Sequence, residues 1–298
     1  MSALDAPRAA AGQPTLPEPA GPARQVLRWL CDPRPHASAP PTEDFSPLGP
    51  VLEGAIDAKL VCVLADRLLH SQHGVELTRA MRSFLIRLLR ANARHTRLHH
   101  GEAVRIVQEL TRQGIPVAVL NGLAYDTDLY PPGGLRQFAD IDLLVAPTNR
   151  EAVLRVLAEL GFWERGRRAH TRRRPTEDTL VPVVSVDIAT SLGHTAEAAD
   201  VQAALARAHT ADTPETKEQL PVLTRTDALR HALARLADRP RWTGVADAAR
   251  LALTTGHISL PEQACTGWTM LRVCLPHLPL RPPDSRIDGP PSETEGSR

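Results

Sequence analysis

The stretch Ala139-Asp-Ile-Asp-Leu-Leu-Val145 sets two aspartates inside an apolar run of strand length. An extended chain sends successive side chains to opposite faces, so Asp140 and Asp142 project together while Ile141 and Leu143 turn into a core. Two neighbouring carboxylates repel each other and lose hydration on burial, so a fold rarely keeps them without a cation. Magnesium (or manganese) suits them, because it takes oxygen ligands and is commonly held by one or two carboxylates plus substrate phosphates. The alternative is that Asp-x-Asp merely borders a strand at the surface. A second charged strand bears on that choice. In Val183-Val-Ser-Val-Asp-Ile188 the side chains of Val183, Ser185 and Asp187 share one face. Placed beside the first strand, Asp187 would reach the Asp140/Asp142 site. Three carboxylates around one or two magnesium ions are what in-line phosphoryl or nucleotidyl transfer requires.

Outward from these strands the pattern alternates. Upstream, Ile115-Pro-Val-Ala-Val-Leu120 is a short apolar run broken by Asn121-Gly122; a brief helix over Leu123–Tyr130 and the turn Pro131-Pro-Gly-Gly134 follow. Before it, Leu60, Val63, Leu64 and Leu68 recur at helical spacing, as do Leu85, Leu88 and Leu89, and then Val104, Val107 and Leu110 before Gly114. After Val145, Thr148-x-x-Glu151 spells a capping box ahead of Val153, Val156, Leu157 and Leu160. A valine-rich strand is expected over Thr179–Thr190, then helices over Thr226–Ala237, Thr243–Leu253 and Pro261–Leu275. This order predicts an α/β (α+β) fold: a small mixed sheet with helical additions at both ends.

The chain has 298 residues and 42% hydrophobic ones, enough for a core, with aromatics at only 3%. Residues 1–50 hold 11 of the 27 prolines and residues 276–298 hold 6. Proline removes a backbone donor and biases its predecessor against helix. The expected division is therefore a disordered leader over 1–50 with a short helix near Gln25–Leu30, N-terminal helices over 51–112, the sheet core over 113–192, a helical region over 193–275 and a disordered tail. Removal of residues 1–45 is expected to leave the core intact. Net charge is +1, so nothing global points to nucleic acid. No apolar run is long enough for a membrane span, and the start lacks a secretory pattern. Four cysteines far apart (Cys31, Cys62, Cys265, Cys274) fit a reducing cytoplasm.

Leu120-Asn-Gly-Leu-Ala, Tyr130-Pro-Pro and Leu135-Arg-x-x-Ala-Asp-Ile-Asp-Leu-Leu-Val145 together resemble the uncharacterised nucleotidyltransferase-like family of bacteria, whose members read Leu-Lys-Gly, Tyr-Pro and Arg-x-x-Gly-Asp-Ile-Asp-Leu-Leu-Val. The likeness runs through Gly161-Phe162 and Val186-Asp187-Ile188, and more weakly to His231, Trp242 and Asp247-Ala-Ala-Arg-Leu251, covering roughly residues 80–255. It implies a polymerase-β-like nucleotidyltransferase fold in which a glycine turn feeds a helix N-terminus that meets the triphosphate. On that likeness Asn121 and Gly122 match the nucleotide turn, Asp140 and Asp142 the metal pair, and Asp187 the third acid, which also takes the acceptor's proton. The chain departs from the pattern at Asn121, where relatives carry lysine, at Leu123, where a second small residue is usual, and at Ala189, where many have histidine.

Arg136 enters the strand four residues before Asp140, either as a phosphate contact or as a salt bridge to a nearby carboxylate. Arg165–Arg174 carries six arginines and no acid; it reads as a solvated loop or as a funnel for a polyanion. His95, His99 and His100 read as a solvated helix face, with a metal pair as the alternative. The functional expectation is a magnesium-dependent nucleotidyltransferase moving a nucleoside monophosphate from a nucleoside triphosphate to an unknown small-molecule, peptide or protein acceptor. Its rivals are a nucleotidyltransferase-like binding module without turnover, and an Asp-x-Asp glycosyltransferase, which would need a longer nucleotide-binding region ahead of the motif.

Overall fold

The computed structural model describes residues 22–34, 48–70, 75–130, 134–164, 171–179, 181–193, 197–212, 219–255 and 258–280, with 15, 16 and 41. Helices α1 (Pro22–Cys31), α2 (Leu48–Asp57), α3 (Val61–Leu69) and α4 (Arg79–Arg112) precede β1 (Val117–Leu120) and α5 (Asn121–Leu129). Strand β2 (Ile141–Val145), α6 (Arg150–Glu159), β3 (Trp163–Glu164), β4 (Thr171–Pro175) and β5 (Val183–Ala189) follow. Then come α7 (Ala198–Arg207), β6 (His209–Asp212), β7 (Gln219–Val222), α8 (Arg225–Asp238), α9 (Trp242–Thr254) and α10 (Glu262–Cys274).

The sheet has the order β3-β4-β5-β2-β1-β7-β6. Strand β2 runs antiparallel to β1 and parallel to β5. In β5, Val184, Val186 and Ile188 are buried while Val183, Ser185 and Asp187 lie on the other, half-open face, the alternation that period-two patterning dictates. The α/β mixture and the central strands match the sequence expectation.

Four expectations need correction. The segments around Leu85 and Val104 form one 34-residue helix, α4, because no proline and only one glycine, Gly101, intervenes between them. The sheet extends past residue 192: β7 pairs parallel with β1 through Val119 and Val222, so the region 193–275 is not purely helical. Residues 171–174 of the arginine-rich stretch are strand, not loop; β4 is antiparallel to β5, and Arg174 pairs with Glu102 of α4. The remainder, 165–170, lies outside the described residues.

The fourth correction concerns the leader. Helix α1 buries Val26, Leu27, Leu30 and Cys31 in the same core cluster as the sheet. Arg67 of α3 donates to the Trp29 and Asp32 carbonyls and stacks 4.8 Å over the Trp29 ring. Proline density misled because Pro22 falls in the first turn of α1, where its missing N–H costs nothing. Helix α2 also begins inside the expected leader, at Leu48; residues 1–14, 17–21, 35–40 and 42–47, and the tail beyond Leu280, lie outside the described residues.

Candidate active site

Strand pairing brings the two acid-bearing segments together. Asp142 and Asp187 are register partners on the adjacent parallel strands β2 and β5. Across the same row Leu120 of β1 pairs with Asp142 and Thr171 of β4 with Asp187. Register partners share a face, so the end of β1, both aspartates and Thr171 look onto one surface of the sheet. Asp140 stands one residue before β2 and opens onto the same cleft, of about 220 Å³, as Asp142 and Asp187.

Neutral groups hold the carboxylates. Asn121 Nδ2 donates to Asp142 Oδ2 at 2.8 Å, and Thr171 Oγ1 donates to Asp187 Oδ1 at 2.6 Å. Burial raises the Asp142 pKa from 3.8 to about 6, and the charges of Asp140 and Asp187 push it the same way. The three acids thus repel one another in a partly dehydrated site. Among the described residues no group of three His, Cys, Asp or Glu side chains closes on one point as a protein-only metal cage. Magnesium does not need such a cage, since one or two carboxylates complete their shell with substrate phosphates and water. The all-oxygen donors and the adjacent carboxylate charges of Asp140, Asp142 and Asp187 fit that ion.

The turn from β1 into α5 follows from two residues. Asn121 has φ 53°, a left-handed conformation in which asparagine is among the better-tolerated residues. A Cβ on Gly122 would sit 2.4 Å from Phe138 Cβ, so glycine here lets α5 approach the segment that leads into Asp140. Both residues line the cleft.

Arg136 does not present a free guanidinium. It is buried and bonds both oxygens of Asp247 on α9, Nε to Oδ1 at 2.8 Å and Nη2 to Oδ2 at 2.7 Å. Tyr130 Oη also donates to Asp247 Oδ1, at 2.7 Å. Asp126 accepts the Arg136 and Gly134 amides, each at 2.8 Å. Of the two readings the structure shows the salt bridge, with Arg136 also lining the cleft. Its partner is a carboxylate 111 residues away, which no local pattern reveals. The solvated-face reading of the histidines is corrected: His99 and His100 are buried, and His95 stacks on His99 with ring centroids 4.0 Å apart, both edge-on to Phe138.

Sequence reasoning missed the basic side of the cleft. Lys59 between α2 and α3, Arg235 of α8, and Arg239 and Arg241 between α8 and α9 all line it. The one available signal was the rarity of lysine, which occurs only at Lys59 and Lys217. One helix and two inter-helix connections therefore supply cations to a cleft whose sheet side supplies acids.

An acid-bearing mixed sheet with a glycine turn at a helix start is the arrangement that the sequence resemblance implies. The chain belongs to the uncharacterised nucleotidyltransferase family, whose model matches residues 49–252. No curated protein matches it. Among solved structures it is similar to an antigenic nucleotidyltransferase-like protein from Paracoccidioides brasiliensis, at 15% identity and TM-score 0.44 over 59% of this chain and 88% of that one. It is also similar to ANT(2″)-Ia in complex with adenylyl-2″-tobramycin, at 14% identity and TM-score 0.36 over 60% of this chain and 96% of that one. No helix among the described residues is long and apolar enough to cross a membrane.

Proposed function

We propose that the protein is a magnesium-dependent nucleotidyltransferase that moves a nucleoside monophosphate from a nucleoside triphosphate to an acceptor hydroxyl or other nucleophile, releasing pyrophosphate. The observation that carries this reading is the cleft itself, with three carboxylates on its sheet side and, facing them, Arg235 of α8 and the inter-helix cations Lys59, Arg239 and Arg241. Asp140 and Asp142 would hold magnesium that arrives with the triphosphate, and Asp187 would share in a second ion. When bound, the ion neutralises phosphate charge and lowers the pKa of the attacking oxygen. Asp187 accepts the acceptor's proton, oriented by the Thr171 hydroxyl. Asn121 orients Asp142, and Arg136 is a positioning residue that fixes the segment leading into Asp140 through Asp247. Arg235, Arg239 and Arg241 draw in and orient the triphosphate.

A second reading, a binding module without turnover, is favoured by Asn121, whose amide stands neutral at the start of α5. Pyrophosphate release separates the two. Purified protein with magnesium and each nucleoside triphosphate, in the presence of pooled small-molecule and peptide nucleophiles, is expected to release pyrophosphate. Asp187→Asn should lower that rate about 10²–10⁴-fold, the usual loss for a general base. Equal rates in wild type and Asp187→Asn would remove Asp187 from the chemistry, and nucleotide binding with no release in either would favour the binding module.

A further inference from the structure

Among the described residues only two that are not glycine hold φ in the left-handed region, Lys59 (φ 55°) and Asn121 (φ 53°). Both line the acidic cleft. Asn121 has a local account, since asparagine tolerates this conformation and its amide bonds Asp142. Lys59 has none. It follows α2 in a Schellman turn: the Lys59 amide bonds the Ile56 carbonyl at 2.9 Å, and the Leu60 amide bonds the Ala55 carbonyl at 2.7 Å. The residue at this position of the motif is usually glycine, because a Cβ is disfavoured at positive φ. Backbone strain of this kind persists where a site needs the side chain.

The Lys59 side chain is exposed and lines the cleft. Arg235, Arg239 and Arg241 reach the same cleft from backbone that carries no such cost. The start of α5 contributes no charge of its own, because Asn121 is neutral and turned to Asp142. A lysine ammonium is a compact point charge with three donors, suited to a phosphate oxygen.

We propose that Lys59 is a triphosphate-binding residue, held at a glycine-type helix terminus so that its ammonium meets the nucleotide's phosphates beside the magnesium carboxylates. This rests on the cleft being the nucleotide site, and it adds the N-terminal helices to that site. The cost in backbone conformation and the gain in binding are then opposed at one residue.

Calorimetric titration of the full chain with ATP, CTP, GTP and UTP, each with magnesium, tests it alongside thermal unfolding without ligand. Lys59→Gln keeps the Cβ and removes the charge; it is expected to melt as wild type does and to bind the preferred nucleotide about tenfold more weakly or worse, the loss of one charge-assisted contact. Lys59→Arg should bind within about threefold of wild type. Lys59→Gly should lose the same affinity while its melting temperature stays level or rises by about 2 °C. Wild-type binding that Lys59→Gln leaves unchanged would overturn the proposal and leave the cleft reading standing. So would lost stability in Lys59→Gln with unchanged binding, the signature of a lysine serving only the α2 carbonyl end. Absence of any nucleotide binding by wild type would instead sink the cleft reading, and this proposal with it.

Discussion

Asp142 and Asp187 face each other across β2 and β5 with Asn121 and Thr171 as neutral partners. Their shared face was legible because a strand's period of two admits one arrangement once the strands are adjacent. The partners were not legible, since hydrogen bonds from Asn121 and Thr171 span 21 and 16 residues. The histidines show a related limit: helical spacing tells that His95 and His99 share a face, not whether Phe138 covers it. Burial and the His99 charge lower the pKa of both His95 and His100 from 6.5 to about 4. A depressed folded pKa means that the neutral ring is favoured in the fold. That stabilisation is complete above pH 6.5 and is lost as pH falls through about 4. Proton NMR titration should show two histidines with midpoints near 4, assigned by His95→Gln and His100→Gln; ordinary midpoints for both would contradict their burial.

Secondary structure was readable where apolar periodicity was strong and hidden where edge chemistry masked it. Strands β1, β2 and β5 stood out as apolar runs. Strand β4 reads Thr-Arg-Arg-Arg-Pro and β7 contains Pro221, so charge and proline concealed both. The contact that joins elements around the site is Arg136 to Asp247, which ties the entry to β2 onto α9. Removing the arginine leaves Asp247 a buried carboxylate that keeps the Tyr130 hydrogen bond but loses its bidentate cation, and breaking such pairs costs about 3–5 kcal/mol. Arg136→Met is therefore expected to lower the unfolding free energy by about that amount in urea titrations. Stability unchanged with weaker nucleotide binding would make Arg136 a phosphate contact.

At the scale of the whole molecule one core joins the sheet to helices from both ends of the chain. Helix α1 lies against α9, where Cys31 Sγ donates to the Trp242 carbonyl at 3.3 Å, and Asp32 accepts from His277 Nε2 at 2.8 Å. Val26, Leu27 and Leu30 are each at most 2% exposed. A fully buried side chain of this kind contributes about 1.5–3 kcal/mol. Deleting residues 1–45 is thus expected to lower the melting temperature by about 10 °C or more, opposite to what proline content alone implies; an unchanged melting temperature would show that α1 is dispensable. The same global packing sets the cations of Arg235 and of the inter-helix connections against the sheet carboxylates, which only the assembled fold reveals. That opposition is tested most directly by magnesium-dependent nucleotide binding to wild type and to the Asp140→Asn, Asp142→Asn double variant, measured by calorimetry with the metal-free melting temperature of each. The expected result is binding by wild type that requires magnesium, none by the double variant, and a melting temperature for the variant equal to or above that of wild type, because the neutralised acids no longer repel. Equal nucleotide binding by both proteins, or a double variant that fails to fold, would contradict a metal–nucleotide site at these aspartates.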